Sequence, residues 1–127
     1  VALRGSIGNT CLVSESLSGS NLTRGVALIS SSKKFNSEYI RYAMKSNLVS
    51  QQIKDVTNGS ALQEIPLKNL RKIKVPLPSL DKQFEVVKKL KIIEKLIQNI
   101  DFKKQLINQL KNGLSSDLLS GLKRINN

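Results

Sequence analysis

The chain has 127 residues, 39% of them apolar but only 4% aromatic, which fits one modest domain with an aliphatic core and excludes a large multidomain enzyme. It has no histidine and a single cysteine, which removes Ser/His and Cys/His nucleophilic pairs, histidine acid–base chemistry, histidine metal sites and any intrachain disulfide. Lys and Arg number 21 against 9 Asp and Glu, a formal charge of +12 that favours a polyanion through counterion release, although scattered lysines also serve solubility.

The cysteine, Cys11, sits in the apolar run Cys11-Leu12-Val13 and reads as a small core residue, not a nucleophile. No apolar stretch approaches the roughly 18 residues that span a bilayer, and no secretory leader pattern is present. A cytoplasmic protein without a membrane partner is expected. The chain opens at Val1 inside a strand-like pattern and without Met, as a piece of a longer protein would.

Residues 1–35 alternate short apolar runs with polar punctuation, the rhythm of a small sheet with loops. Arg4-Gly5-Ser6-Ile7-Gly8 packs two glycines into five positions, where backbone needs positive φ or a close approach; the loop is either a plain hairpin turn or a ligand-facing one. It lacks the spacing of a phosphate loop or a dinucleotide fold. From Asn36 the spacing becomes helical, with Asn36 or Ser37 as cap and Ile40, Ala43, Met44 and Leu48 on one face. A second short helix through Leu48, Val49 and Ile53 is expected to end at Thr57-Asn58-Gly59-Ser60. Ile73, Val75 and Leu77 alternate with Lys72, Lys74 and Pro76 as on a half-buried strand, which the prolines Pro76 and Pro78 confine to an edge or a strand end.

From Ser79 to Asn112 there is no Gly or Pro, and apolar residues recur at threes and fours. One long helix of roughly 50 Å is expected, started by Ser79 or Asp81 and terminated or interrupted at Gly113. Its stripe, Val86, Leu90, Ile93, Leu96, Ile97, Ile100, Ile107, Leu110 and Leu114, needs a partner helix, within the same protein or complex or as a coiled coil; Lys103, Lys104 and Lys111 intrude near the seam.

Several motifs in this order resemble one family. They are Leu3-Arg4-Gly5-Ser6-Ile7-Gly8-Asn9, Asn21-Leu22-Thr23-Arg24-Gly25-Val26, and Asn58-Gly59-Ser60 followed by Ile65-Pro66-Leu67-Lys68-Asn69-Leu70. The most specific is Ile73-Lys74-Val75-Pro76-Leu77-Pro78-Ser79-Leu80-Asp81-Lys82-Gln83 opening the helix, with Leu118-Leu119-Ser120-Gly121-Leu122-Lys123 closing it. Together they look like part of a specificity subunit of type I restriction-modification systems, across essentially the whole chain. The resemblance implies a target recognition domain that reads half of a split DNA site, and a conserved spacer helix that docks methyltransferase subunits and, through them, restriction subunits.

On this reading the chain is α+β: a partial, small mixed αβ target-recognition head over residues 1–78, a long coiled-coil-forming helix over 79–112, and a tail over 113–127. The candidate DNA-facing residues are Arg4, Ser6, Thr23, Arg24, Lys33, Lys34, Asn58 and Ser60, with Lys68, Arg71 and Lys72 available for phosphate positioning. Each has a plainer role as a loop hydrogen bond, a solvated turn or a turn without ligand. The partners are double-stranded DNA and a second specificity half or a second copy through the helix. No acidic nuclease cluster, glycine-rich cofactor loop or Asn-Pro-Pro-aromatic motif is present, so the chain is expected to be non-catalytic, without metal or cofactor. Two other readings stay open: the recognition segment of a single-chain restriction-methylation enzyme, and a helix-mediated assembly module that reads no DNA.

Overall fold

The computed structural model describes residues 1–30, 32–57 and 64–123, so the candidates Asn58 and Ser60 lie outside the described residues. The chain divides into two compact units, Val1–Val87 and Lys88–Asn127. In order come a 3-10 turn at Glu15–Leu17, then α1 (Ser37–Met44), α2 (Asn47–Val56), α3 (Leu67–Leu70) and α4 (Leu80–Leu119).

The described residues of the first unit are mostly helical with little strand, and the mixed αβ head that the sequence rhythm predicts is not shown. Among the described residues β-pairing is confined to isolated antiparallel bridges, Ala2 with Val26, Arg4 with Glu64, and Ser32 with Phe35. The reason lies in how the first residues distribute their backbone groups. Val1 exchanges hydrogen bonds with Ala27, Leu3 donates to the Gly25 carbonyl and accepts from Ile65 N–H, and Ala2 turns both groups to its own loop at Gly8 and Asn9. Val1 and Leu3 thus face the Gly25–Ala27 segment while Ala2 faces the other way, as antiparallel pairing alternates, but the pairing stops at Leu3, whose carbonyl accepts from Ile65 N–H in place of the Gly25 N–H that a continued ladder would use.

The helices form where capping and periodicity call for them. Asn36 caps α1, its Oδ1 accepting from Tyr39 N–H at 3.0 Å, and Ser46 caps α2, its Oγ accepting from Val49 N–H at 3.4 Å. Met44, Val49 and Ile53 enter a core with Leu3, Ala27 and Ile65, against which Val1, Ile7, Ile40, Leu70, Ile73 and Val75 pack. Leu48 leaves the expected face and is exposed: the chain resets at Lys45 and Ser46, so the α1 register does not carry into α2. Gly8 earns its place twice, with φ at 80° and a Cβ that would stand 3.0 Å from Ile53 Cδ1.

Two further expectations are corrected. Cys11 is exposed, because the extended segment around it lies outside the core cluster. Residues 73–78 make no strand. Ile73 and Val75 do face the core, but Leu77 is exposed, and Lys74 finds its partner in a side chain: the Gln52 amide accepts from Lys74 N–H and donates to Lys74 C=O, both at 2.9 Å. One carboxamide thus satisfies the groups a neighbouring strand would have taken.

α4 runs 40 residues, about 60 Å at 1.5 Å per residue, and passes through Gly113 without a break. The roughly 1 kcal/mol cost of a helical glycine is small for a helix this long. The stop comes at Gly121, with φ at 74°, where the chain folds back so that Lys123 N–H donates to the Asp117 carbonyl and its ammonium pairs with the Asp117 carboxylate at 2.9 Å. No helix among the described residues is long and apolar enough to cross a membrane.

Candidate nucleic-acid interface

Two of the sequence-predicted loops meet. The Leu3 N–H donates to the Gly25 carbonyl at 2.7 Å, which sets the Arg4-Gly5-Ser6 loop beside the Thr23-Arg24-Gly25 turn. A Cβ on Gly25 would lie 3.8 Å from that of Arg4. The turn is closed by Val26 N–H donating to the Thr23 carbonyl, and Arg4, Ser6, Thr23 and Arg24 are all exposed. Positive φ at Gly5 and the hydrogen bond from Asn9 N–H to the Ser6 carbonyl shape the other loop.

The two arginines differ in what they have left to offer. The Arg4 guanidinium pairs with the Glu64 carboxylate at 2.8 Å, directly across their backbone bridge, so part of its charge is already compensated. Half-exposed, such a pair is worth about 1 kcal/mol or less and can reopen to a competing phosphate. Arg24 has no ion pair among the described residues.

Lys33 and Lys34 occupy a separate exposed turn bridged by Ser32 and Phe35. Its hydrogen bonds run to Gln83, whose Nε2 donates to the Lys34 carbonyl at 3.4 Å and to the Pro78 carbonyl at 2.7 Å. Gln83 Oε1 accepts from Asn36 N–H at 2.8 Å, and the residue is fully buried. Tyr39, also buried, donates its hydroxyl proton to the Pro76 carbonyl at 2.9 Å. The Pro-Leu-Pro segment and the start of α4 are therefore bound to the cap of α1 by polar side chains. In the sequence Gln83 stands out only as the end of the motif that opens the helix, and nothing local marks Gln52 or Glu64, whose partners Lys74 and Arg4 lie far along the chain.

In the second unit the expected stripe is open. Ile93, Leu96, Ile97, Ile100, Ile107, Leu110 and Leu114 are exposed, joined by Ile92, Phe102 and Leu106, which the stripe did not include. Val86, in the first unit, is exposed, and Leu90, in the second, is half-buried. Positions 86, 90, 93, 97, 100, 104, 107, 111, 114 and 118 step by alternating fours and threes, a heptad seam that is apolar except at Lys104 and Lys111. No group of metal-ligating side chains gathers among the described residues.

The described residues thus combine loops of exposed polar and cationic side chains on a small aliphatic core with a long helix whose seam is exposed. The chain belongs to the type I restriction modification DNA specificity domain family, whose model matches residues 1–112, and that family is a recognition component, not a catalytic one. Among curated relatives it is 32% identical over 103 residues to the MjaX type I restriction enzyme specificity subunit of Methanocaldococcus jannaschii, covering 80% of this chain and 24% of that one. It is 32% identical over 63 residues to the MjaIX type I restriction enzyme specificity subunit of the same organism, covering 50% of this chain and 15% of the relative. The chain thus spans a quarter or less of the relatives it matches. No solved structure matches.

Proposed function

We propose that this chain supplies sequence-specific DNA recognition to a type I restriction-modification complex, its first unit reading one half of a bipartite site and α4 setting the spacing and docking the methyltransferase subunits. The observation that carries the reading is the meeting of Arg4-Gly5-Ser6 with Thr23-Arg24-Gly25 through Leu3 and Gly25. Glycines let backbone come close to a ligand, arginines reach phosphates or guanine edges, and Ser6 and Thr23 offer hydroxyls to base edges. The Lys33-Lys34 turn adds phosphate contacts from a second direction.

For α4 the support is the seam. Apolar side chains at heptad spacing along about 60 Å of helix pair with an equivalent helix, from a second specificity half or a second copy. Two recognition units at opposite ends of such a pair are held at fixed separation on B-DNA, where about 34 Å is one turn. The uncovered seam alone also fits an assembly module that reads no DNA.

One experiment separates these. Seven residues inserted near Asn99 add about 10 Å while nearly preserving the seam. Site selection from a random duplex library with the assembled complex should then return unchanged half-sites and a gap longer by about 3 base pairs. Unchanged spacing refutes the ruler, and recovery of no preferred sequence by the parent complex refutes DNA reading altogether.

A further inference from the structure

We propose that Lys68, Arg71, Lys72 and Lys74 form a rigid phosphate-binding strip that grips the DNA sugar-phosphate backbone outside the recognition loops. The proposal rests on the DNA-reading function above and extends it to a surface that the predicted loops do not include. From Ile65 to Leu80 these four cations stand without a single carboxylate between them.

The fold aligns them. In α3 and the turn that prolongs it, Leu70 and Ile73 pack on the core and Asn69 Nδ2 donates to the Val56 carbonyl at 3.3 Å, which fixes the inward face. Lys72 N–H donates to the Asn69 carbonyl at 2.9 Å, so helical winding continues through Lys72. Lys68, Arg71 and Lys72 therefore lie at i, i+3 and i+4 on the outward face, and all are exposed. Lys74, also exposed, is held by the double hydrogen bond from Gln52.

The charge is uncommitted. None of the four makes an ion pair among the described residues, whereas Arg4 is paired to Glu64. The carboxylate of Asp55 on α2 accepts from Gln51 Nε2 at 2.9 Å. Three like charges on one helical face repel one another, and an array of phosphates relieves that repulsion. The chemistry favours a nucleic-acid backbone over a protein partner. The strip has no aromatic residue and is rich in lysine, the reverse of a protein–protein hot spot, while lysine and arginine on phosphates position a duplex without reading it.

The test measures binding of the full chain to a mixed-sequence duplex across a salt series, by fluorescence anisotropy. The variant K68Q/R71Q/K72Q is set against K82Q/K88Q/K95Q, which removes the same charge from α4. The strip variant should flatten the log–log salt slope by about 2 to 3, at roughly 0.9 per phosphate contact, and weaken binding at least about tenfold at low salt. The α4 variant should change the slope by less than about 1, and K68R/K72R should bind as the parent does. Equal losses from both triple variants would reduce the effect to diffuse charge and overturn the strip. A parent slope retained by K68Q/R71Q/K72Q would overturn it while leaving DNA reading intact, and loss of binding to polyglutamate instead would assign the surface to an acidic protein. Absence of any salt-dependent binding by the parent chain would remove the DNA reading and the strip together.

Discussion

The Gln83 amide oxygen accepts the Asn36 N–H at 2.8 Å, while Asn36 in turn caps α1 through Tyr39 N–H, so two polar side chains couple the start of α4 to the start of α1. With its Nε2 on the Pro78 and Lys34 carbonyls, Gln83 uses both its donors and its acceptor while fully buried. A buried amide whose donors and acceptor are all used is costly to remove, because its partners remain buried and unpaired.

Gln83→Ala should therefore destabilise the chain by about 2–4 kcal/mol in a denaturant melt. Gln83→Glu keeps the acceptor for Asn36 N–H but brings a carboxylate against the Pro78 and Lys34 carbonyls. It should cost at least as much as Ala at neutral pH, and a variant as stable as the parent would show that the amide is dispensable.

At Gln52 the exchange is with an exposed backbone. Gln52→Ala should cost about 1–2 kcal/mol, and Gln52→Glu, which retains only the acceptor for Lys74 N–H, should fall between Ala and the parent. Amide hydrogen exchange at Lys74 is the direct measure, fastest in the Ala variant.

The two glycines of the first loop should respond unequally. Gly5→Ala meets open space and pays only for φ at 68°, about 1 kcal/mol; Gly8→Ala pays that and a 3.0 Å contact with Ile53 Cδ1, and should lose about 2–3 kcal/mol. Trimming the obstacle in the double variant Gly8→Ala/Ile53→Val should return less than the sum of the two single losses. Simple additivity of the melting shifts would disprove the close approach.

Ile100→Asp alters a residue 63% exposed in the isolated chain, so helicity and melting of the dilute chain should hold within about 0.5 kcal/mol. In a paired helix the same carboxylate would enter an apolar seam at a cost of several kcal/mol. Sedimentation of parent and variant over a concentration range reads the difference: self-association should be lost in the variant alone, and identical profiles for an associating parent would place Ile100 outside the pairing face.

Arg24→Ala should weaken duplex binding more than Arg4→Ala, because Arg4 is partly compensated by Glu64. Loss of a base contact would relax preference at one position by about 1–3 kcal/mol, whereas loss of a phosphate contact would weaken all sequences alike. Selection from a randomised duplex pool distinguishes the two, and unaltered binding by both variants would remove these loops from the interface.

What a few neighbouring residues can encode is legible along the chain. The cap of α1 at Asn36 or Ser37, the fours and threes of α4 from Val86 onward, and a backbone needing positive φ or a close approach in Arg4-Gly5-Ser6-Ile7-Gly8 are all legible there, whereas the α2 cap at Ser46 carries no such reading. Each is a local property, fixed by hydrogen bonds or side-chain spacing within one or two turns. Tertiary structure alone decided the rest. Alternation at Ile73 and Val75 records burial on one side but not who pairs with Lys74, and that partner is a glutamine 22 residues away. The strand-like runs at Val1–Leu3 and Val26–Leu28 meet only in an isolated bridge because the Leu3 carbonyl, which a longer ladder would have paired with Gly25 N–H, is taken by Ile65 N–H from a distant part of the chain. The Asn36–Gln83 hydrogen bond spans 47 positions. Polar groups are satisfied by whatever the folded chain brings within about 3 Å, and that geometry exists only once the aliphatic core has set the elements against one another.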